Sequence, residues 1–245
     1  MDFHNKTALV TGAAVGIGRA TALELARRGA GLVLLDLNPQ KLDALKAELK
    51  PYTDDVLIYS CDVSDEARVN GVIADATAHF GKIDILVNNA ALWRSHSDFV
   101  DTPIDEWKLF LDVNVMGTVY VTRAVLPGML DRGYGRIVNV ASVAGVYGNR
   151  TMAHYSATKG AVIAFTKALA KEVADRGVRV NAVSPGTVSP SSEEDVDFTQ
   201  PSPLSYMGRT GSDAENADLI CFLASDRAGY LSGQNIQIDG CRKKI

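Results

Sequence analysis

Residues 11–18 read Thr-Gly-Ala-Ala-Val-Gly-Ile-Gly, between a short apolar run at 7–11 and a helix-like stretch at 18–28. Glycine has no Cβ, so it admits a tight turn and lets backbone N–H groups approach a ligand closely. A helix that starts at such a turn presents unpaired N–H donors and the positive end of its dipole, which suits a pyrophosphate. The spacing is G-x3-G-x-G and not the general G-x-G-x-x-G, so the turn alone is a weak signal. Its place between strand and helix strengthens it, and Gly12, Gly16 and Gly18 become candidate phosphate-side residues.

Outward from this turn the same alternation continues. Apolar runs rich in Val, Ile and Leu occur at 7–11, 32–36, 56–61, 83–87, 135–141, 178–183 and 235–238. Helix-like segments lie between them at 18–28, 39–49, 65–80, 103–130, 153–175 and 212–223, several apolar at i, i+3, i+4 as in Leu42, Leu45 and Leu49. Continuous apolar strands linked by helices predict a parallel sheet covered on both faces. Right-handed crossovers then give a Rossmann-type, doubly wound α/β fold of about seven strands. No linker or repeat divides the chain, so residues 1–245 are expected to form one domain. Prolines 185, 190, 201 and 203 and an acidic run argue against one long helix over 185–209. A loop of that length leaving the carboxyl end of a parallel strand reads as a substrate lid, at about 186–210.

Composition narrows the function. With 47% apolar and 22% charged residues the chain can bury a sizeable core. A net charge of −4 argues against nucleic acid or an anionic membrane surface as the main partner. The longest stretches free of charge are 13 residues, at 137–149 and 180–192, so no membrane-spanning helix is expected. The N-terminal residues show no secretory signal, and the odd, widely spaced Cys61, Cys221 and Cys241 suit reduced thiols in a cytoplasmic protein. The four histidines fall in no metal-ligand spacing, so no metal is expected.

Three places carry chemistry. Asp36 ends the second strand, where a carboxylate can accept hydrogen bonds from ribose hydroxyls and repel a 2′-phosphate, which favours NAD over NADP. Tyr155 and Lys159 stand at i and i+4 on one helix face, and Ser142 closes a strand at the sheet edge where ligands bind. Asn114 sits inside an otherwise apolar helical stretch and so needs a hydrogen-bonding reason.

These residues resemble the short-chain dehydrogenase/reductase family. The matching elements are TGAAVGIG at 11–18, Asp36, Cys61-Asp62-Val63, Asn88-Asn89-Ala90-Ala91, Asn114, Ser142, YSATK at 155–159 and Pro185-Gly186, in family order over the whole chain. The resemblance implies hydride transfer between a nicotinamide and a carbonyl or secondary alcohol carbon, and a homotetramer. Tyr155 would exchange the hydroxyl proton, Lys159 would lower its pKa and hold the nicotinamide ribose, Ser142 would bind the substrate oxygen, and Asn114 would hold a proton-relay water. Cofactor contacts would further include Val15, Ile17, Leu37, Asp62, Val63, Asn89, Ala90, Pro185, Gly186 and Val188. Substrate would meet Arg94, Ser142, Tyr147, Asn149, Arg150, Met152 and Tyr155, with His154 and Trp93 nearby. Ala91 and Cys241 stand where the family commonly has glycine, and Pro190 where it commonly has a threonine that donates to the carboxamide; Thr187, Ser189 or Ser191 would substitute. The tail from Asp239 on is expected to be solvated or to touch another subunit. A small polar substrate (polyol, sugar acid or hydroxy acid) is preferred. The alternatives are an aromatic or alicyclic alcohol dehydrogenase, a 3-oxoacyl-carrier-protein reductase, whose relatives usually take NADPH, and an idle NAD-binding protein.

Overall fold

The computed structural model describes residues 2–189 and 198–243. Seven strands form one parallel sheet in the order β3-β2-β1-β4-β5-β6-β7. They are β1 (Thr7–Thr11), β2 (Gly31–Asp36), β3 (Val56–Ser60), β4 (Ile85–Asn88), β5 (Gly135–Val140), β6 (Val178–Pro185) and β7 (Asn235–Ile238). The expected architecture is therefore observed, with six of the fourteen strand boundaries shifted by one or two residues.

Alternation along the strands feeds two apolar layers, because successive side chains point to opposite faces. Val10, Leu32, Leu34, Ile85 and Val138 pack with helices α1 (Gly16–Arg27), α2 (Pro39–Leu49) and α8 (Asp213–Ala224). Leu9, Val33, Leu35, Leu86 and Ile137 pack on the other face with α3 (Glu66–Phe80), α5 (Gly117–Asp131) and α7 (Ala153–Val173). Three of the eight α-helices among the described residues start on a side-chain cap, and the others do not. Asn38 caps α2 ahead of Pro39, Asp65 caps α3, and Ser212 with Glu215 forms a reciprocal capping box on α8. Of the uncapped starts, the one that matters for function is α1, whose N-cap Val15 makes no side-chain cap, so its first N–H groups stay available at the mouth of the glycine turn.

Two expectations are corrected. The single helix expected over 103–130 is α4 (Ile104–Leu111), a wider π turn over Asp112–Met116, and α5. A π turn inserts one residue without disturbing the apolar rhythm on either side, so periodicity cannot register it. The run Ile104–Asp131 is also long and apolar enough to cross a membrane by length and composition, with a mean hydropathy of 1.4 in its best window. Isolated charges interrupt its uncharged stretches without making it polar, which is why counting uncharged runs missed it. Its Val121, Val125 and Met129 belong to the buried layer under the sheet. A short helix, α6 (Ala144–Tyr147), was not anticipated.

The strand order reverses between β1 and β4, so the loops leaving their carboxyl ends diverge and open a crevice there. The glycine turn leaves β1 and Asn89-Ala90 leaves β4.

Candidate active site

The glycine turn is built around two close approaches. Gly12 has φ +61°, and a Cβ there would stand 2.8 Å from the Ala90 Cα. A Cβ on Gly18 would stand 2.0 Å from the Gly12 carbonyl oxygen. Asn89 donates through Nδ2 to the carbonyls of Thr11 and Gly12 at 3.0 and 2.9 Å, and the Thr11 hydroxyl accepts from the N–H groups of Asn89 and Ala90. Asn89 is thus a brace for the turn. Thr11 does comparable work and was missed in the sequence, where a Thr at a strand end looks like ordinary β-propensity.

Asp36 is held by backbone donors, Ala14 N–H to Oδ2 and Asn38 N–H to Oδ1, both at 3.0 Å. A carboxylate has about four acceptor sites, so each oxygen keeps capacity for a sugar hydroxyl. Leu37 beside it is exposed. Asp62 accepts from the Ser64 N–H and hydroxyl, and Val63 is buried against Gly117. The uncapped α1 terminus, the cradle that a Cβ would fill and the oriented Asp36 fit a dinucleotide.

The second cluster stands at the carboxyl end of β5. Ser142 accepts from the Ala144 N–H at 3.1 Å. Burial pushes the Tyr155 phenol above its ordinary pKa, and the facing Ser142 hydroxyl pulls it partly back. Lys159 is 3% exposed, its Nζ donates to the Val140 carbonyl at 2.7 Å, and burial lowers its pKa to about 8. Its Nζ lies 5.8 Å from the Tyr155 ring centroid, close enough for the ammonium to favour a phenolate. Asn114, in the π turn, donates to the Leu92 carbonyl and the Thr158 hydroxyl and accepts from the Leu92 N–H. It ties the loop after β4 to the helix that carries Tyr155 and Lys159.

The expected substrate side is less uniform. Arg94 lies over the Trp93 ring and is exposed, as is Arg150. Tyr147 is half-exposed and its hydroxyl donates to Gln237, and Met152 is buried. Asn149 donates its N–H to the Ser156 hydroxyl and accepts from Arg242. His154 does not reach the crevice. It is 1% exposed between Trp107 and Phe110, with Nε2 3.5 Å from Glu106, which in turn accepts a hydrogen bond from Ser95. In the lid, Pro185 ends β6 and Gly186 donates to the Ile238 carbonyl, while Val188 bridges to Gly211. The Ser189 hydroxyl is buried and bonded to Thr210, so it is not a free donor for a carboxamide. Pro190 and Ser191 lie outside the described residues. The tail is not loose, since 240–243 pairs with the lid at 204–207.

A family model described as enoyl-(acyl carrier protein) reductase matches residues 12–241. The 3-oxoacyl-(acyl-carrier-protein) reductase FabG of Thermotoga maritima is 40% identical over 243 residues, covering 98% of each chain. The 2-dehydro-3-deoxy-L-rhamnonate dehydrogenase (NAD(+)) of a Sphingomonas strain is 38% identical, covering 98% of this chain and 96% of that one. The crystal structure of an NAD+-bound xylitol dehydrogenase superposes with a TM-score of 0.90 at 35% identity, over 98% of this chain and all of that one.

Proposed function

The chain belongs to the short-chain dehydrogenase/reductase family, oxidoreductases of CH–OH groups, and on that premise we propose that it uses NAD to interconvert a secondary alcohol and a ketone on a small polar substrate, a polyol, sugar acid or hydroxy acid. The observation that carries the cofactor reading is Asp36. Its carboxylate is fixed at the end of β2 by two backbone N–H groups, where a 2′-phosphate would meet a negative charge and no cation stands beside it in sequence. The names of an NAD(+)-dependent sugar-acid dehydrogenase and an NAD+-bound xylitol dehydrogenase among the relatives support both halves of the reading.

A nicotinamide held beside Tyr155 and Lys159 would supply the hydride chemistry. Ser142 donates to the substrate oxygen and orients it for that exchange. Tyr155, as phenolate, accepts the hydroxyl proton of an alcohol; as phenol, it returns the proton to a ketone. Lys159 favours the phenolate by its charge and has two further N–H donors for a ribose once one is given to Val140. Asn114, tied to Leu92 and Thr158, would hold the relay water that hands the proton on past Lys159. Val15, Gly16 and Ile17 would hold the pyrophosphate, Asp62 and Val63 the adenine, Ala90 its ribose, and Val188 the carboxamide. A second reading, reduction of a 3-oxoacyl thioester, draws on the FabG relative at 40% identity. The cofactor separates the two.

The test is NADH formation at 340 nm across polyols, sugar acids, hydroxy acids and aryl carbinols, with NAD and with NADP. Turnover with NAD on the polar classes is expected. In the double variant Asp36→Ala, Leu37→Arg the NAD-to-NADP ratio of kcat/KM is expected to fall at least about 100-fold, one charge repulsion removed and one pairing added. An unchanged ratio removes Asp36 from the argument.

We also propose that the protein is a homo-oligomer, a tetramer as the resemblance implies. Phe99, Val100, Ile104, Leu109 and Leu111 stay exposed along one stretch ending in α4, more apolar surface than a lone subunit needs to leave uncovered. Sedimentation at micromolar concentration should give about four chain masses; a monomer refutes it.

A further inference from the structure

The last described residues form a strap across the lid. Ser205 and Arg242 pair antiparallel, Tyr206 and Met207 donate to the carbonyls of Cys241 and Gly240, and Lys243 donates to the Leu204 carbonyl. This strap carries Arg242 to the loop after α6, where its Nη2 donates to Asn149 Oδ1 at 3.2 Å. Asn149 in turn donates to the hydroxyl of Ser156, the residue next to Tyr155. Arg242 also lines a narrow cleft with Thr187, Leu204, Arg209 and Asp239.

Four arginines bear on the substrate side, and their surroundings differ. Arg94 and Arg150 are exposed, so water screens them and each must be ordered when a ligand binds. Arg242 is half-buried and already fixed by Asn149 and by the strap on both sides of it. Arg209 lines the same cleft, but its guanidinium is held by both oxygens of Glu215. Among the described residues no carboxylate lies within ion-pairing distance of Arg242. A preorganised guanidinium with one donor engaged and, among the described residues, no ion pair suits a planar anion that accepts two parallel hydrogen bonds. Asp239, in the same cleft, suits a neighbouring hydroxyl that donates.

We propose that Arg242 reads a carboxylate on the substrate, which makes the substrate a hydroxy acid or sugar acid and not a neutral polyol. The proposal rests on the reading of the site as an alcohol–ketone oxidoreductase of small polar substrates. It places specificity on the C-terminal strap, far in sequence from Ser142, Tyr155 and Lys159.

The experiment uses matched acid and polyol pairs: glycerate and glycerol, threonate and threitol, gluconate and glucitol. Wild type, Arg242→Gln and Arg242→Lys are assayed with saturating NAD, and binding of each compound to the NADH-bound protein is read by calorimetry. Wild type should prefer the acid of at least one pair, in turnover or in binding. Arg242→Gln should lower the acid-to-polyol ratio by about 30-fold, through KM or Kd and not kcat, as expected for loss of a charge-assisted pair. Arg242→Lys should recover part of the ratio, keeping the charge and losing the fork. An unchanged ratio, an equal loss on both members of a pair, or a wild type that prefers no acid overturns the proposal. Oxidation of any alcohol in the panel that Tyr155→Phe removes upholds the oxidoreductase reading even then.

Discussion

Tyr155→Phe is expected to lower kcat by about 10³- to 10⁴-fold, the full contribution of a positioned acid–base group, while NAD affinity changes less than about threefold. The ring stays in place on α7, so the substitution removes one oxygen and leaves the packing. Alcohol oxidation needs the phenolate as proton acceptor, and burial holds the free phenol above its ordinary pKa against the pull of Ser142. The wild-type oxidation rate should therefore rise with pH until that group titrates, and ketone reduction, which needs the neutral phenol, should fall through the same range. The residual activity of the Phe variant should lose this dependence. Steady-state rates from pH 6 to 10.5 in both directions, with NAD binding by calorimetry, check all three statements. A Phe variant keeping a tenth of wild-type activity rules out the assigned role.

Gly18→Ala is the second large effect, and its direction separates two physical accounts. Helix propensity alone favours Ala over Gly inside α1 by about 1 kcal/mol, so a reading by propensity expects stabilisation. The new Cβ would instead meet the Gly12 carbonyl oxygen at 2.0 Å and the Asn89 Nδ2 at 2.6 Å. Neither neighbour can yield cheaply, because one is backbone and the other braces the turn through two hydrogen bonds. Loss of about 3 kcal/mol of stability is expected, in the range of core overpacking, together with at least about a 100-fold weaker NAD Kd. Urea unfolding and calorimetry read both, and a stabilised variant with unchanged affinity would show that the turn adapts.

These two residues mark how far the sequence could be read. Gly18 and Tyr155 stand in motifs whose spacing is local, a strand–turn–helix junction and one turn of helix, so short-range rules place them. Asp36 is legible for the same reason, as the last residue of an apolar strand. Asn114 was singled out as a polar residue in an apolar run, but its three hydrogen bonds to Leu92 and Thr158 depend on a π turn that apolar periodicity does not register. Asn89 stands in the right motif with its brace unseen, because its partners, Thr11 at the end of β1 and Gly12 in the turn after it, lie 78 and 77 residues away. The resemblance sets His154 on the substrate side by register with the family. The position next to Tyr155 on a helix points about 100° away from it, and there His154 meets α4 and not the crevice.

By itself the sequence determined the α/β alternation, the number of strands and the glycine turn, since each rests on side-chain period or on contacts within a few residues, while the catalytic candidates take their roles from the family resemblance. Only the tertiary structure decided what those residues touch. The parallel sheet brings strand ends from distant parts of the chain to one edge, where Asn89 closes on the β1 turn and Arg242 reaches Asn149 across 93 positions. Such pairings are set by crossover connections and packing, which have no local period for a sequence to display.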